Sequence, residues 1–223
     1  MPDSVFESFL DSGLRMARCF FRAFLITVKA VPGRRRKENS MKAINQLKNE
    51  HEGIKIIFRV LRKMCESLRF GQTLDKGHFE GILEFFQIFV DKCHHGKEED
   101  LLFPAMVQAG IPKQGPIEAM MSEHTAGRSH IKAIGRAFVE FKSGNIAISE
   151  ALANECEQYI SLMLDHIYKE NNILYPMGES RFSKAIDEKL YQDFETLETE
   201  RIGKGKHEVF HEMINRLTHI YIE

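Results

Sequence analysis

The sequence predicts an all-α protein: an up-down-up-down four-helix bundle with an N-terminal extension helix and C-terminal helices. Three observations carry that expectation. Only six prolines and fifteen glycines punctuate 223 residues, and the stretches between them are rich in Leu, Ile, Phe, Met, Glu and Lys, a helix-favouring palette. Apolar residues recur in steps of three and four, which places them on one face of a 3.6-residue turn. The breaks between stretches are short, and short connections make successive helices antiparallel neighbours.

The first stripe runs Ile44, Leu47, His51, Ile54, Phe58, Leu61, Met64 and Leu68, and breaks at "FGQTLDKG". The second comprises Phe79, Leu83, Phe86, Val90, His94, Glu98 and Leu101 and is expected to stop at Pro104, since proline lacks the donor a helix interior needs. The third takes Ile117, Met121, His124, Arg128, Ile131, Ile134, Phe138 and Phe141 and ends at "SGN". Ile148, Leu152, Cys156, Tyr159, Met163, His166, Glu170 and Ile173 form the fourth, with Pro176 marking the same turn as Pro104. Each helix is expected to be about four to six turns long. Weaker patterns over 180–198 and 205–221 predict two C-terminal helices packed on the bundle.

Three segments follow: a basic amphipathic extension or linker over 1–40, the bundle over 41–178, and C-terminal helices over 179–223. Residues 1–40 hold no run of 18 apolar residues, because Arg15, Arg18, Arg22 and Lys29 interrupt them, which argues against a membrane span. Asp3, Glu7 and Asp11 sit where a signal peptide would be basic. The segment reads either as a surface helix making peripheral contact with a membrane or a protein, or as an extension outside the folded domain. With 31 basic and 32 acidic residues, nothing suggests the excess positive charge by which nucleic-acid binders hold phosphate, so nucleic acid is not expected as a partner. Cys19, Cys65, Cys93 and Cys156 lie far apart with no CxxC pair, the usage of a reducing, cytoplasmic compartment.

The chemistry lies in the polar members of the apolar stripes. A buried imidazole or carboxylate must be paired, hydrogen-bonded or metal-bound. His94 and Glu98 are four apart, as are His166 and Glu170, so each pair stacks on one helical face. His51 and His124 each supply one imidazole from the other two helices, each after a glutamate, in "NEHEG" and "SEHTAG". The separation from His51 to His94 is 43 residues and from His124 to His166 is 42. The chain therefore reads as two helical hairpins, each a metal half-site, with Lys55 and Arg128 agreeing in sign four residues after the lone histidines. Four imidazoles and two carboxylates suit two divalent transition ions, iron before manganese or zinc, with each carboxylate free to bridge. His95 could slip in for His94 and pair with Glu99, but the shared distance to Pro104 and Pro176 aligns His94 with His166. His95 and Glu99 are left as supporting or solvated groups. His207 and His211 also have ligand spacing, but their charged surroundings favour a solvated or capping role.

"NEH" ending at His51, "HHGKEEDLLFP" from His94, "SEH" ending at His124 and "HIYKENNILYP" from His166 resemble the hemerythrin-like HHE cation-binding domain over about residues 41–176. The resemblance implies a four-helix bundle holding a non-haem di-iron centre, with Glu98 and Glu170 as bridging carboxylates and His51, His94, His124 and His166 as terminal ligands. Oxygen-carrying members have a second histidine four residues after the third-helix ligand. Arg128 stands there in this chain, so reversible O2 carriage of that kind is in doubt. The four-His, two-Glu set is closer to iron-cluster repair proteins that handle nitric oxide stress. Those resemble this chain in the bundle alone, and residues 1–40 hold Cys19 in place of their cysteine-bearing N-terminal domain.

The function expected is di-iron binding, with O2, NO or peroxide bound or sensed at an open coordination position. Two alternatives stand beside it: a di-iron enzyme (peroxidase, oxidase or NO reductase), or an iron donor in iron-sulfur cluster repair. No residue clearly supplies a general acid, though Tyr159, seven before His166, could lie near the site.

Overall fold

The computed structural model describes residues 41–223. The expectations for residues 1–40, a basic extension and its peripheral contact, lie outside the described residues. Helix α1 is Lys42–Arg69. Helix α2 starts at Lys76–Phe85 and continues without a break to residue 108. Helix α3 is Glu118–Lys142, and α4 starts at Ser149–Lys169 and continues to residue 179. These four form the expected bundle, with α4 lying along both α1 and α3. Helix α5, Lys184–Ile202, packs on α1 and the middle of α2, and α6, Lys206–Tyr221, packs mainly on α1. No helix among the described residues is long and apolar enough to cross a membrane.

The helices outrun the expected four to six turns: α1 alone has 28 residues, about eight turns. The prolines do not end them. Pro104 and Pro176 each sit in the first turn of a renewed α-helical stretch, Phe103–Gln108 and Tyr175–Glu179. Each follows a wider i→i+5 stretch, Glu98–Leu102 or Glu170–Leu174. In each wider stretch the N–H just before the proline, of Phe103 or Tyr175, bonds the carbonyl five residues back, of Glu98 or Glu170, so the pairing register has shifted before the missing proline N–H is met and the helix continues. Such a turn also holds about one residue more than an α turn. The inward position four after Glu98 is therefore Leu102, not Leu101, and the one four after Glu170 is Leu174, while Ile173 is 51% exposed. On α3, Met120 rather than Met121 faces inward.

Two apolar cores result. One joins Ile54, Phe58, Leu61, Phe79, Phe86, Phe138, Tyr159 and Met163 with Phe210 and Leu217 of α6. The other joins Ile44, Leu47, Leu102, Met106, Ile117 and Leu174 with Leu190 and Phe194 of α5. On α1, α2 and α3 the candidate site residues fall between these two sets, and on α4 they lie where the first set ends and the second begins, so the polar layer is closed above and below by packed hydrocarbon. Cys65, Cys93 and Cys156 are buried free thiols.

The C-terminal helices also close the start of the bundle. No side chain of its own caps α1. Instead Asp187 of α5 accepts hydrogen bonds from the Lys42 N–H at 2.9 Å and the Ala43 N–H at 3.0 Å, serving two otherwise orphaned donors at the positive end of the helix dipole. Asp187→Ala is expected to destabilise the fold by about 1–2 kcal/mol, the usual worth of a cap. An unchanged urea midpoint would show that water replaces the carboxylate at no cost.

Candidate metal centre

His51, His94, Glu98, His124, His166 and Glu170 come from all four bundle helices to one buried layer, and none is more than 2% exposed. With His95, their ligating atoms form two overlapping groups: His51, His94, Glu98 and Glu170; and His95, Glu98, His124 and His166. Within each group the atoms lie within 4.8 Å of one another. Glu98 belongs to both groups; Glu170 belongs to the first, with Oε2 3.2 Å from His51 Nε2, and its Oε1 also lies 3.2 Å from His166 Nε2. Glu98 Oε2 lies 3.4 Å from His124 Nε2 and 3.8 Å from His94 Nε2.

The outer nitrogens fix what the inner ones can do. Nδ1 of His94 lies 2.7 Å from Glu50, Nδ1 of His124 2.6 Å from Glu99, Nδ1 of His166 3.0 Å from Glu123, and Nδ1 of His51 3.0 Å from Asn171 Oδ1. Each partner atom accepts, so the imidazole proton belongs on Nδ1 and the lone pair on Nε2. The Nε2 atoms of His51 and His94 face each other at 2.9 Å, and those of His124 and His166 at 3.1 Å. Among the described residues Glu98 Oε2 and both oxygens of Glu170 have no hydrogen-bond donor. Buried lone pairs converging on shared points are repulsive unless a positive charge sits among them. The donor set thus fits cations, and the carboxylate behind each of three imidazoles is the support metal-bound histidines use.

The electrostatics agree. Burial opposes a charge on His166, yet Glu170 and Glu123 outweigh it and push its pKa up to about 9. Burial likewise works against His124, but Glu170, Glu98 and Glu99 hold its pKa well above the ordinary value. Burial alone would raise the Glu170 carboxyl, and His166, His124 and His51 hold it well below the usual range instead. A pocket that favours protons on its histidines favours any cation placed among them.

The supporting shell repeats across the two halves. Glu50, beside His51, serves His94, and Glu123, beside His124, serves His166. Lys97 Nζ reaches Glu50 at 2.6 Å, and Lys169 pairs with Glu123. The residue after each carboxylate crosses over: Glu99 serves His124 and Asn171 serves His51. None of Glu50, Lys97, Glu123, Lys169 and Asn171 was assigned a role from sequence. The signal was present as a doubled His-x-x-Lys-Glu and a doubled Glu-His.

The halves also differ. Tyr175 OH donates to Glu98 Oε1 at 2.5 Å, and its ring stacks on His51 at 5.7 Å. Phe103, the matching residue, stacks on His124 at 6.0 Å with no hydroxyl to offer. Burial, with Glu170 and Glu98 beside it, keeps Tyr175 protonated and donating. Lys55 and Arg128 are not equivalent: Lys55 pairs with exposed Glu52, whereas Arg128 binds Asp91 at 2.6 Å and Glu99 at 2.7 Å. Arg128 therefore braces the carboxylate behind His124. His95 is 3% exposed, not solvated, and joins the second group. Tyr159 lines a cavity of about 360 Å³ that His95 and Arg128 also border. His207 and His211 meet edge-on at 4.5 Å on α6, partly exposed, and join neither group.

A helical bundle whose buried middle layer gathers imidazoles and carboxylates around shared points is a cation-binding protein of the bundle class. The chain belongs to the hemerythrin family: the Hemerythrin HHE cation binding domain matches residues 42–178. It is also similar to the iron-sulfur cluster repair protein YtfE of Yersinia pseudotuberculosis serotype IB (strain PB1/+) and of Yersinia pestis (strain Pestoides F). Each is 34% identical over 87 residues, 37% of this chain and 39% of the relative. The chain thus spans about two fifths of the length of the curated relatives it matches. No solved structure matches it.

Proposed function

We propose that this chain is a non-haem di-iron protein that binds or senses O2, NO or peroxide. His51 and His94 would hold one ion and His124 and His166 the other, with the carboxylates of Glu98 and Glu170 shared between them. The observation that carries the reading is Glu170, whose two oxygens face different histidine pairs and lack any other partner. Mixed imidazole and carboxylate donors favour iron over softer-site metals, with manganese and zinc next. Bound iron would supply reversible coordination and one-electron redox chemistry. The protein's own contributions are separate. Glu50, Glu99 and Glu123 orient the imidazoles and raise their basicity, Tyr175 holds one oxygen of Glu98, and the two apolar cores exclude water. Buried free thiols support a reducing, cytoplasmic setting.

A second reading is iron delivery or turnover in cluster repair, supported by the name of the YtfE relatives and by their match to part of this chain. Metal analysis of anaerobically purified protein tests the first reading, with about two irons per chain expected from the donor count. Zinc alone, or no metal, would sink it. Titration with NO or O2 separates the outputs. A stoichiometric, reversible change in absorption favours binding, whereas many turnovers of NO or peroxide per chain favour an enzyme. Iron transferred to an apo iron-sulfur protein favours repair.

A further inference from the structure

His95 is the buried polar residue that the two-ion arrangement leaves unused. Among the described residues neither of its ring nitrogens has a hydrogen-bond partner, and the nearest carboxylate, Asp91 Oδ1, is 3.8 Å from Nδ1, too far to satisfy it. An orphaned imidazole at this depth is costly unless something pairs with it. Its ligating atom lies within 4.8 Å of those of Glu98, His124 and His166, so what it would pair with is at the second half-site.

The ring orientation says what kind of partner that is. His95 stacks on His124 with centroids 3.8 Å apart and planes 14° from parallel. A cation bonded to an imidazole nitrogen lies in the plane of that ring. Two nearly parallel rings this far apart share no such point, so a cation held by His124 is not held by His95 as well. His95 stands one ring's thickness to the side of His124, with its ligating atom close to those of Glu98, His124 and His166, so a small molecule held at that half-site would lie within its reach. The same residue borders the cavity of about 360 Å³ whose wall includes Asp91, Gly127, Arg128, Ile131 and Tyr159. Gly127 lies where the packing is close: a Cβ there would come within 3.2 Å of Met163 Sδ.

We propose that His95 is a ligand-contact residue, donating a ring N–H to a ligand of two or three atoms that enters through this cavity and binds beside His124 and His166. The ligand must carry an acceptor atom, as a diatomic oxide or a small anion does. This inference rests on the di-iron reading above and adds the residue that recognises the guest.

The test uses azide as the probe on the full chain, loaded with iron and oxidised, in wild type, His95→Phe and His95→Gln. Phenylalanine keeps the stack on His124 and removes the donor, and glutamine restores an N–H. His95→Phe is expected to keep the wild-type iron content and to weaken azide binding about tenfold or more, the worth of one hydrogen bond to a charged acceptor. His95→Gln is expected to recover most of that loss. Ile131→Trp, which narrows the cavity, should slow azide association several-fold at unchanged Kd. Equal azide affinity in wild type and His95→Phe overturns the proposal. So does a loss of about half the iron in His95→Phe, which would make His95 a metal ligand. An unslowed association in Ile131→Trp removes the cavity as the route. A wild-type chain without iron, seen before any azide is added, overturns the di-iron reading and this inference together.

Discussion

Glu170→Ala will leave the anaerobically purified chain with well under one iron, whereas Glu98→Ala will retain about one, if two ions are held as proposed. The difference follows from the oxygens. Both oxygens of Glu170 face histidine nitrogens of different halves and have no other partner, so its loss strips a donor from both ions. Glu98 turns only Oε2 toward the nitrogens, 3.4 Å from His124 and 3.8 Å from His94, and its Oε1 is held by Tyr175, so it offers the two halves one shared atom where Glu170 offers two. Removing it weakens the centre without emptying it. The check is iron and protein quantitation on the two variants beside wild type. Equal iron contents would refute the claim that Glu170 is the principal bridge, and unchanged content in both would remove the bridging assignment. Tyr175→Phe sharpens the comparison, because it frees Glu98 Oε1 without changing the charge.

Lys97→Met is expected to lower the melting temperature of the metal-free protein by about 10 °C, while Lys169→Met shifts it by about 3 °C or less. The two lysines occupy matching positions, three residues after His94 and His166. Lys97 has no exposed side-chain surface and sits between Glu50 at 2.6 Å and Glu198 at 2.7 Å. Burial alone would raise the Glu50 carboxyl, but His94 and Lys97 hold it down to about 2. Taking the ammonium away leaves that carboxylate charged and under-compensated in a dry interior, a loss of about 3–5 kcal/mol. Lys169, 41% exposed on its side chain, pairs with Glu123 where water can substitute, so about 1 kcal/mol or less is at stake. Thermal melts of the two metal-free variants decide it, and equal shifts would show that burial is not what sets the cost.

The contrast between these lysines arises outside the bundle. Helix α5 lies over the middle of α2 so closely that a Cβ on Gly96 would come within 3.1 Å of Arg201 Nη1 and 3.6 Å of Leu197. That approach covers Lys97 and brings Glu198 to it. Among the described residues no helix lies over the matching stretch of α4 in the same way, as the exposure of Lys169 and Ile173 records. The family match ends at residue 178, so the residue that completes the Lys97 pair comes from beyond the matched region.

Much of the fold was readable because helical periodicity is local. A stripe such as Ile44, Leu47, His51, Ile54 and Phe58 specifies a buried face through the fixed pitch of a single helix, whatever packs against it. The four helices, the His94–Glu98 and His166–Glu170 pairs and the near-twofold repeat all follow from that pitch. The same reasoning failed where the pitch changes. The i→i+5 turns that begin at Glu98 and Glu170 carried the helices past Pro104 and Pro176 and moved the inward positions to Leu102 and Leu174. A rule of steps of three or four allows either position in each pair, and the wider turn selects the step of four.

By itself, then, the sequence determined the helices, the class of chemistry and most of the residues that stand on buried faces, since each depends on neighbours three or four positions away. Tertiary structure alone decided the partnerships. Glu50 serves His94 across 44 residues and Asn171 serves His51 across 120, while Arg128 braces Glu99 and His95 turns its flat face to His124. Those contacts depend on how each helix is rotated and how deeply its neighbours cover it, and both are set by the packing of the whole core, not by any one helix.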